Sequence, residues 1–295
     1  MPNTSRPRRS ALYMPGANVR ALEKARTLGC DAIIMDLEDS VAPDAKKQAR
    51  KNVAEAIKAG GYGKREIVVR VNALDTTWGY KDIVAAATSG AHAVLLPKTE
   101  SAHAVRQVEH IMEESGASDT MEIWCMIETP RGVLRTELIA SASPRISCLV
   151  MGTSDLAKDL HAHHTRERIP MVMSLGHCLI VARAYGLSIL DGVHLDLSDN
   201  DGFEQSCLQG VDFGFDGKTL IHPKTIAKAN EVFGPSQEEV IWSQNIISAF
   251  DAARKKGDGV VVIDGKLVEN LHIVEAQRIV RMAQRIKELE AGITE

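Results

Sequence analysis

Several acidic and basic residues stand directly after short apolar runs in the sequence. They are Asp36, Glu38, Asp39, Arg70, Lys98, Glu128 and Asp155, followed further along by Asp191, His194 and Asp196. If the runs are parallel strands of a barrel, these side chains meet at one rim, where catalytic groups of such folds lie. A single charge of this kind is typical of a solvated loop. Several on one rim predict a functional site, because burying unpaired charges is costly.

Glu128 and Asp155 follow neighbouring runs, so their carboxylates can converge. Two carboxylates with room for water and substrate oxygens suit Mg²⁺, which binds few protein ligands and keeps several waters. A zinc site would need His or Cys ligands. The alternative is that Asp155 only caps the helix that begins near Leu156.

Arg70 ends an apolar run, where a cation needs an anionic partner. Its guanidinium suits a substrate carboxylate or a developing oxyanion. The alternative is a structural ion pair with Asp36 or Glu38. The histidines of the polar segment 161–168 do not have the spacing of a helical zinc-ligand pair, and a solvated loop is the favoured interpretation.

Eight short apolar runs bounded by Gly, Pro, Asp or Asn predict the strands that position these residues. The runs are Ser10–Met14, Ala32–Leu37, Ile67–Val71, Ala93–Leu96, Ile123–Ile127, Cys148–Met151, Ser188–Leu190 and Thr219–Ile221. Helical spacing lies between them, as in Ala42–Lys58, Ser101–Glu114 and Pro170–Tyr185. Eight strands alternating with helices favour a closed (β/α)8 TIM barrel, with a doubly wound sheet as the alternative. A dinucleotide site lacks support, because no GxGxxG follows the first run.

The pattern changes after Ile221-His222-Pro223. An amphipathic stretch over Pro235–Lys256 precedes a β-like run at Val260–Ile263, which follows Gly257-Asp258-Gly259. A turn at Asp264-Gly265 and a helix from about Leu271 to Ala291 end the chain. We therefore expect a catalytic barrel over residues 1–230 and a lid or oligomerisation extension over residues 231–295.

Composition limits the classes of partner. The 295 residues carry a formal net charge of −4, which gives no reason to expect nucleic acid or an anionic membrane as partner. No apolar segment follows the basic stretch Arg6-Pro7-Arg8-Arg9, so a secretory signal is not expected. Five scattered cysteines without a CxxC pair favour a reducing compartment, and we expect the protein in the cytoplasm.

The ordered motifs resemble those of the HpcH/HpaI aldolase/citrate lyase β-subunit superfamily, within it the malyl-CoA lyase and malyl-CoA thioesterase branch. The resemblance runs from about residue 8 to residue 290. The matching segments are Arg9–Gly16, Asp36–Val41, Val69–Asn72, Leu96–Lys98, Ile127–Thr129, Met151–Leu156, Gly214–Lys218, Ile221–Pro223 and Asp264–Asn270.

The resemblance implies a TIM barrel whose C-terminal segment closes the active site of a neighbouring subunit, in a homo-oligomer such as a trimer or hexamer. It implies Mg²⁺, or Mn²⁺, on Glu128 and Asp155. The catalytic residues it implies are Arg70, Glu269, Glu38 and Asp39. The residues implied to bind the coenzyme A thioester or the oxo-acid part are Tyr13, Lys24, Arg70, Ser154, Ile221 and His222. Asn18 stands where malyl-CoA lyases have an arginine that contacts phosphate, and Arg20 lies close enough to replace it.

The implied activity is a retro-Claisen cleavage of a malyl-CoA-type thioester to an acyl-CoA and a 2-oxo acid. Three alternatives remain. The first is a (3S)-malyl-CoA thioesterase, to which the Glu269-Asn270-Leu271-His272 tail is similar. The second is an aldolase of free hydroxy acids, and the third is a non-catalytic subunit of a larger complex.

Overall fold

A computed structural model of the chain describes residues 6–254, 261–263 and 266–292. Its centre is a closed barrel of eight parallel strands, in which each strand pairs with the next along the chain and β8 returns to β1. The strands are β1 (Ser10–Pro15), β2 (Ala32–Asp36), β3 (Glu66–Arg70), β4 (Ala93–Leu96), β5 (Glu122–Ile127), β6 (Ile146–Met151), β7 (Ser188–Asp191) and β8 (Gly217–Leu220). The predicted TIM barrel is confirmed, and the eight predicted runs match the eight strands to within two residues at either end.

Helices follow the strands and surround the barrel. The helices are α1 (Val19–Lys24), α2 (Lys46–Ala59), α3 (Gly79–Ala87), α4 (Ala102–Glu114), α5 (Pro130–Leu134), α6 (Thr136–Ala140), α7 (Thr153–Asp159), α8 (Val172–Ala184), α9 (Asn200–Phe213) and α10 (Ile226–Phe233). Short 3₁₀ turns lie at Ala25–Thr27, Pro43–Ala45, Ile169–Met171 and Pro223–Thr225. The predicted helical stretches over Ala42–Lys58, Ser101–Glu114 and Pro170–Tyr185 are confirmed.

The hydrophobic core has two layers, because successive side chains of a strand alternate between the two faces of the barrel wall. On β5, Trp124 and Met126 belong to the cluster inside the barrel. Ile123, Cys125 and Ile127 belong to the cluster between strands and helices. This alternation decides which residue at the end of each strand faces the barrel mouth.

The basic stretch near the N-terminus forms part of this core. Arg8 is 2% exposed and donates to both carboxylate oxygens of Glu66 at 2.8 Å and to Glu122 at 2.9 Å. Its guanidinium carbon lies 4.9 Å from the centre of the Trp124 ring. Arg8 therefore closes the amino-terminal end of the barrel with a buried ion pair.

The chain continues beyond the barrel as α11 (Gln237–Arg254), the antiparallel strands β9 (Val261–Ile263) and β10 (Lys266–Val268), and α12 (Asn270–Ala291). These elements share a small apolar cluster of their own, formed by Ile246, Phe250, Val268, Ile273 and Ala276. The expected helices and β-like run are present. The turns predicted at residues 257–259 and 264–265 lie outside the described residues. The predicted division at 230/231 stays a prediction and falls within α10.

Three further expectations concern surface and compartment. His161, His163 and His164 lie in a polar segment where His161 and His164 are exposed, which agrees with a solvated loop. All five cysteines are buried and free. None of the helices in the described part of the chain is long and apolar enough to cross a membrane.

The buried ion pair at Arg8 predicts a large loss of stability when it is broken. Arg8→Met leaves the Glu66 carboxylate buried without its partner, so the free energy of unfolding should fall by about 3 to 5 kcal/mol in urea denaturation. Lys51→Met is the matched control, because Lys51 and Glu55 form an exposed pair at 3.7 Å. It should cost less than about 1 kcal/mol. Equal losses in the two variants would contradict the structural role of Arg8.

The same pair predicts a pH dependence. Burial alone would raise the pKa of Glu66, but the Arg8 guanidinium holds that pKa below its ordinary value. A carboxyl group with a lowered folded-state pKa contributes stability above its unfolded pKa of about 4.3, and the contribution is lost as pH falls through the folded pKa. The difference in unfolding free energy between wild type and Glu66→Gln should therefore narrow between about pH 6 and about pH 3. A constant difference would contradict the lowered pKa.

Candidate active site

A cavity of about 380 Å³ opens at the carboxyl ends of the strands. Its lining includes Tyr13, Asp36, Asp39, Ser40, Arg70, Met126, Glu128, Gly152, Ser154, Asp155, Val193, Thr219 and Ile221. These residues follow or end seven different segments of the barrel wall and its loops. The structure therefore brings together at the cavity five of the ten charged strand-end residues that the sequence predicts at one rim, namely Asp36, Asp39, Arg70, Glu128 and Asp155.

Arg70 is the cation at the floor of this cavity. It ends β3 and forms a bidentate pair with Asp36 at the end of β2, with both nitrogen–oxygen distances at 2.7 Å. Its Nη1 also lies 3.0 Å from Glu38 and 3.3 Å from Asp39. The alternative of an ion pair with Asp36 or Glu38 is thus present in the structure, and Arg70 also lines the cavity.

Three carboxyl groups lie beside the single positive charge of Arg70. Burial raises the pKa of Glu38 to about 7, and the nearby Asp39 and Asp36 add to that rise. The Asp39 side chain is 61% exposed and is the most distant of the three partners of Arg70. A ligand oxygen can therefore replace Asp39 at Nη1 with the least loss of buried charge pairing.

Glu128 stands at the end of β5 and is 2% exposed. One oxygen, Oε1, accepts a hydrogen bond of 2.6 Å from the backbone N–H of Lys98, which follows β4. Burial raises the pKa of Glu128 to about 8 despite this bond, and the charges of Glu38 and Asp155 raise it further. The carboxylate therefore lies where a cation would stabilise its charged form.

Gly152 makes room for Glu128. A Cβ atom at position 152 would lie 2.3 Å from the Cβ and 2.6 Å from the Oε2 of Glu128. The backbone of Gly152 has a negative φ of −95°, so the position needs glycine for space and not for its conformation. Because Gly152 has no side chain, the Glu128 carboxylate at the end of β5 can pack against the backbone that follows β6.

Asp155 is the third residue of α7, whose N-cap is Gly152. The alternative that Asp155 is the cap residue is therefore wrong. Its carboxyl group is half-buried and faces the same cavity as Glu128. Both carboxylates line the same cavity, as the sequence predicts.

Charge balance favours a divalent cation here. The rim carries Asp36, Glu38, Asp39, Glu128 and Asp155, and the cations that interact with them are Arg70, Lys98 and Lys46. Carboxyl groups thus outnumber cations by two. Within 6–254, 261–263 and 266–292 no cluster of three or more His, Cys, Asp or Glu side chains could hold a metal. Two carboxylates without further protein ligands fit Mg²⁺ better than Zn²⁺.

Two buried hydroxyl groups in the cavity wall have no hydrogen-bond partner among the described residues, those of Tyr13 and Ser154. The Tyr13 ring lies against the Arg70 guanidinium at 4.7 Å, and burial raises the pKa of its hydroxyl well above the ordinary value. Buried polar groups in proteins are normally paired. Both hydroxyls are therefore available to a ligand.

Of three further predicted binding residues, the structure places only Ile221 in the cavity lining. Ile221 lines the cavity, and His222 is exposed as the cap of the turn Pro223–Thr225. Lys24 is exposed at the end of α1 and does not line the cavity. Because β1 and β8 pair directly, the segments that follow them share one side of the rim.

Asn18 has a local structural role. Its side chain accepts a hydrogen bond of 3.1 Å from the backbone N–H of Ala21 and caps α1. Arg20 is exposed on the same helix. The residue that departs from the arginine of malyl-CoA lyases is thus the N-cap, a position where asparagine is favoured.

Glu269 is not brought to this cavity within one chain. It is the N-cap of α12 and forms a capping box with His272. The far end of α12 lies at the amino-terminal face of the barrel, where Glu290 pairs with Arg9 at 3.1 Å. The last turn of α12 therefore lies at the face opposite to the barrel mouth, and Glu269 is not among the residues that line the cavity.

Sequence reasoning assigned no role to Lys98 or Gly152. Both lie in segments that match the family, Leu96–Lys98 and Met151–Leu156, so the signal was present. Lys98 holds the Glu128 carboxylate from 30 positions away in the chain, and Gly152 makes room for it from 24 positions away. Spacing alone does not show such contacts.

Comparisons with known proteins relate the chain to one family. The family model described as HpcH/HpaI aldolase/citrate lyase matches residues 9–223. The (3S)-malyl-CoA thioesterase of Cereibacter sphaeroides is 46% identical over 97% of this chain and 98% of its own length. The L-malyl-CoA/beta-methylmalyl-CoA lyase of the same species is 33% identical over 97% of both chains. Among solved structures, protein CitE of Mycobacterium tuberculosis in complex with magnesium, acetoacetate and coenzyme A has a TM-score of 0.75 and 26% identity, over 93% of this chain and 97% of that one.

The close approach at Gly152 predicts that a single methyl group disables the metal pair. Gly152→Ala must displace Glu128, so binding of Mg²⁺ measured by calorimetry should weaken roughly 10- to 100-fold. Gly29→Ala is the control, because a Cβ atom there meets nothing within 4 Å. It should bind like the wild type. If Gly152→Ala binds Mg²⁺ as tightly as the wild type, Glu128 is not a ligand of the metal.

Proposed function

The chain belongs to the HpcH/HpaI aldolase/citrate lyase family, and from that premise we propose that it is a Mg²⁺-dependent thioesterase of a malyl-CoA-type substrate. The observation that carries the proposal is the 46% identity to a (3S)-malyl-CoA thioesterase over nearly the full length of both chains. The lyase relative is 33% identical. The comparisons thus favour the alternative given in the sequence analysis over the carbon–carbon lyase that it put first.

Glu128 and Asp155 would hold the Mg²⁺ ion. The fit rests on the excess of carboxyl groups at the rim, on the raised pKa of Glu128, and on the space that Gly152 leaves beside its carboxylate. When bound, Mg²⁺ supplies Lewis-acid polarisation of substrate oxygens and orients the substrate.

Arg70 and Tyr13 would bind the oxygens of the substrate at the floor of the cavity. The Nη1 atom of Arg70 can exchange exposed Asp39 for a thioester carbonyl or a carboxylate, while its pair with Asp36 stays in place. A fixed guanidinium stabilises negative charge that develops on such an oxygen. The unpaired Tyr13 hydroxyl beside it offers a second donor.

The coenzyme A part would leave the cavity over the side of the rim that β1 and β8 form. Ile221 and Ser154 line the cavity, whereas Lys24 and His222 lie outside it. An ammonium group at the end of α1 suits a phosphate by charge. This order of residues, from buried to exposed, matches a long substrate with a reactive inner end and an anionic outer end.

Glu269 would come from a neighbouring copy of the chain. Its own helix leads to the opposite face of the barrel, so it does not serve the cavity of its own chain. Exposed apolar side chains that a homo-oligomer can cover occur at Leu134, Leu138, Met173 and Ile180, each at least 60% exposed. Patches of this kind mark association surfaces. The Glu269 carboxylate would activate water or attack the thioester carbon.

A retro-Claisen lyase is the second candidate. The site residues that favour it are the same metal pair and Arg70, which can stabilise an enolate oxyanion as well as a tetrahedral one. On that reading, Glu269 would exchange a proton with the carbon next to the thioester. The two reactions therefore differ in which bond breaks and not in which residues bind the substrate.

Product analysis with malyl-CoA distinguishes these reactions. The thioesterase yields malate and free CoA, and the lyase yields glyoxylate and acetyl-CoA. We expect malate and CoA, with loss of turnover in chelator and in Glu128→Ala and Asp155→Ala. Glyoxylate as the main product would establish the lyase instead. Turnover by either variant in chelator would overturn the metal assignment.

Complementation between inactive variants tests the shared site. Glu269→Ala and Glu128→Ala should each be inactive alone. In subunits that are mixed and exchanged, sites that combine one intact barrel with one intact lid should restore up to about a quarter of wild-type activity. The control mixes Glu128→Ala with Asp155→Ala, which damage the same barrel and should restore nothing. No recovery in the first mixture would place Glu269 outside the active site or within its own chain.

A further inference from the structure

We infer that Lys98 positions the Glu128 carboxylate through its backbone, and that its left-handed conformation, not its ammonium charge, sustains the affinity for Mg²⁺. The inference rests on the proposed function, because it assigns a role toward the metal pair. It concerns a residue to which neither the sequence motifs nor the comparisons attach a role.

Lys98 has an unusual backbone. Its φ is +43°, and among the described residues only His161 and Arg168 share a positive φ without being glycine. L-residues with a side chain rarely adopt this region, because the Cβ atom approaches the backbone carbonyl. Such conformations persist where surrounding contacts hold them, and they cluster at functional sites.

The contacts that hold the turn are made by Thr99, the residue that follows Lys98. The backbone N–H of Thr99 donates to the carbonyl of Met126 at 3.1 Å, and the Thr99 hydroxyl donates to the carbonyl of Leu96 at 2.9 Å. Thr99 is 1% exposed. The turn after β4 is therefore fastened to β5 two residues before Glu128.

The consequence of this turn is the direction of one N–H group. The backbone N–H of Lys98 points at Oε1 of Glu128 at 2.6 Å. The other oxygen, Oε2, lies over the space left by Gly152. One backbone donor and one absent side chain thus fix the rotation of a carboxylate that is 2% exposed. Partners that orient metal ligands in this way contribute strongly to affinity.

The ammonium group of Lys98 has a different effect. The side chain is exposed, and its nearest charges are the carboxylates of Glu38, Asp155, Glu128 and Asp39. A cation beside these carboxylates competes with a second cation for the same negative charge. Removing the ammonium while keeping the backbone conformation should therefore leave Mg²⁺ binding unchanged or make it tighter.

Two uncharged side chains of similar size separate the roles. Asparagine tolerates the left-handed region, whereas the β-branched valine does not. In calorimetric titration of the full chain with MgCl₂, Lys98→Asn should bind at least as tightly as wild type. Lys98→Val should bind roughly 10- to 100-fold more weakly. Lys98→Ala should fall between them, and it carries the comparison if the valine variant does not fold.

Crystal structures of the metal-free Asn and Val variants, or of the Ala variant in place of Val, give the second readout. Oε1 of Glu128 should stay within hydrogen-bond distance of the residue-98 nitrogen in the first and move away in the second. If Mg²⁺ binding is weakened equally in Lys98→Asn and Lys98→Val, the effect belongs to the ammonium group and the inference is overturned. Mg²⁺ binding by Lys98→Val that equals that of the wild type would also overturn it. If wild type binds no Mg²⁺, the proposed function fails together with the part of the inference that concerns affinity, and the position of Glu128 in these crystals still decides whether residue 98 positions the carboxylate.

Discussion

At the carboxyl end of the barrel, buried carboxyl groups outnumber the cations beside them, and the surrounding structure is arranged to hold that imbalance. Arg70 binds Asp36 on both oxygens, and the backbone of Lys98 holds one oxygen of Glu128. Neither contact keeps the pKa of Glu128 in its ordinary range: burial raises it to about 8, because the charged form of Glu128 is disfavoured there. Burial of charge without full compensation is costly. A bound divalent cation removes that cost, and this links the geometry of the rim to metal-dependent chemistry.

The opposite end of the same barrel handles charge in another way. Arg8 and Glu66 are both almost completely buried and satisfy each other with two hydrogen bonds, and Glu122 adds a third partner. The pKa of Glu66 is lowered there, whereas that of Glu128 is raised. Similar carboxyl groups are therefore paired within the fold at one end and left without a full partner at the other. The difference lies in whether a cation of the chain itself reaches them.

In the proposed function, the reaction would depend on how the substrate meets a third carboxylate, that of Glu269. Glu128, Asp155 and Arg70 can bind the same hydroxy-acid end for hydrolysis of a thioester or for cleavage of a carbon–carbon bond. In the proposed reaction Glu269 would act on the thioester side, and it belongs to a helix that leads to the opposite face of the barrel in its own chain. Association of copies would therefore both complete the site and bear on which bond breaks.

The sequence by itself determined the eight strands and the barrel, and it placed Glu128 and Asp155 after neighbouring strands, because short apolar runs and the residues that end them are local properties. It left open whether Arg70 pairs within the chain, and tertiary structure decided that through a contact between neighbouring strands. Tertiary structure also decided that Arg8 closes the barrel, that Lys98 and Gly152 orient Glu128, and that Glu269 stands apart from its own cavity. Each of these depends on which segments, far apart in the sequence, the closed barrel brings into contact. No local pattern of residues encodes such contacts.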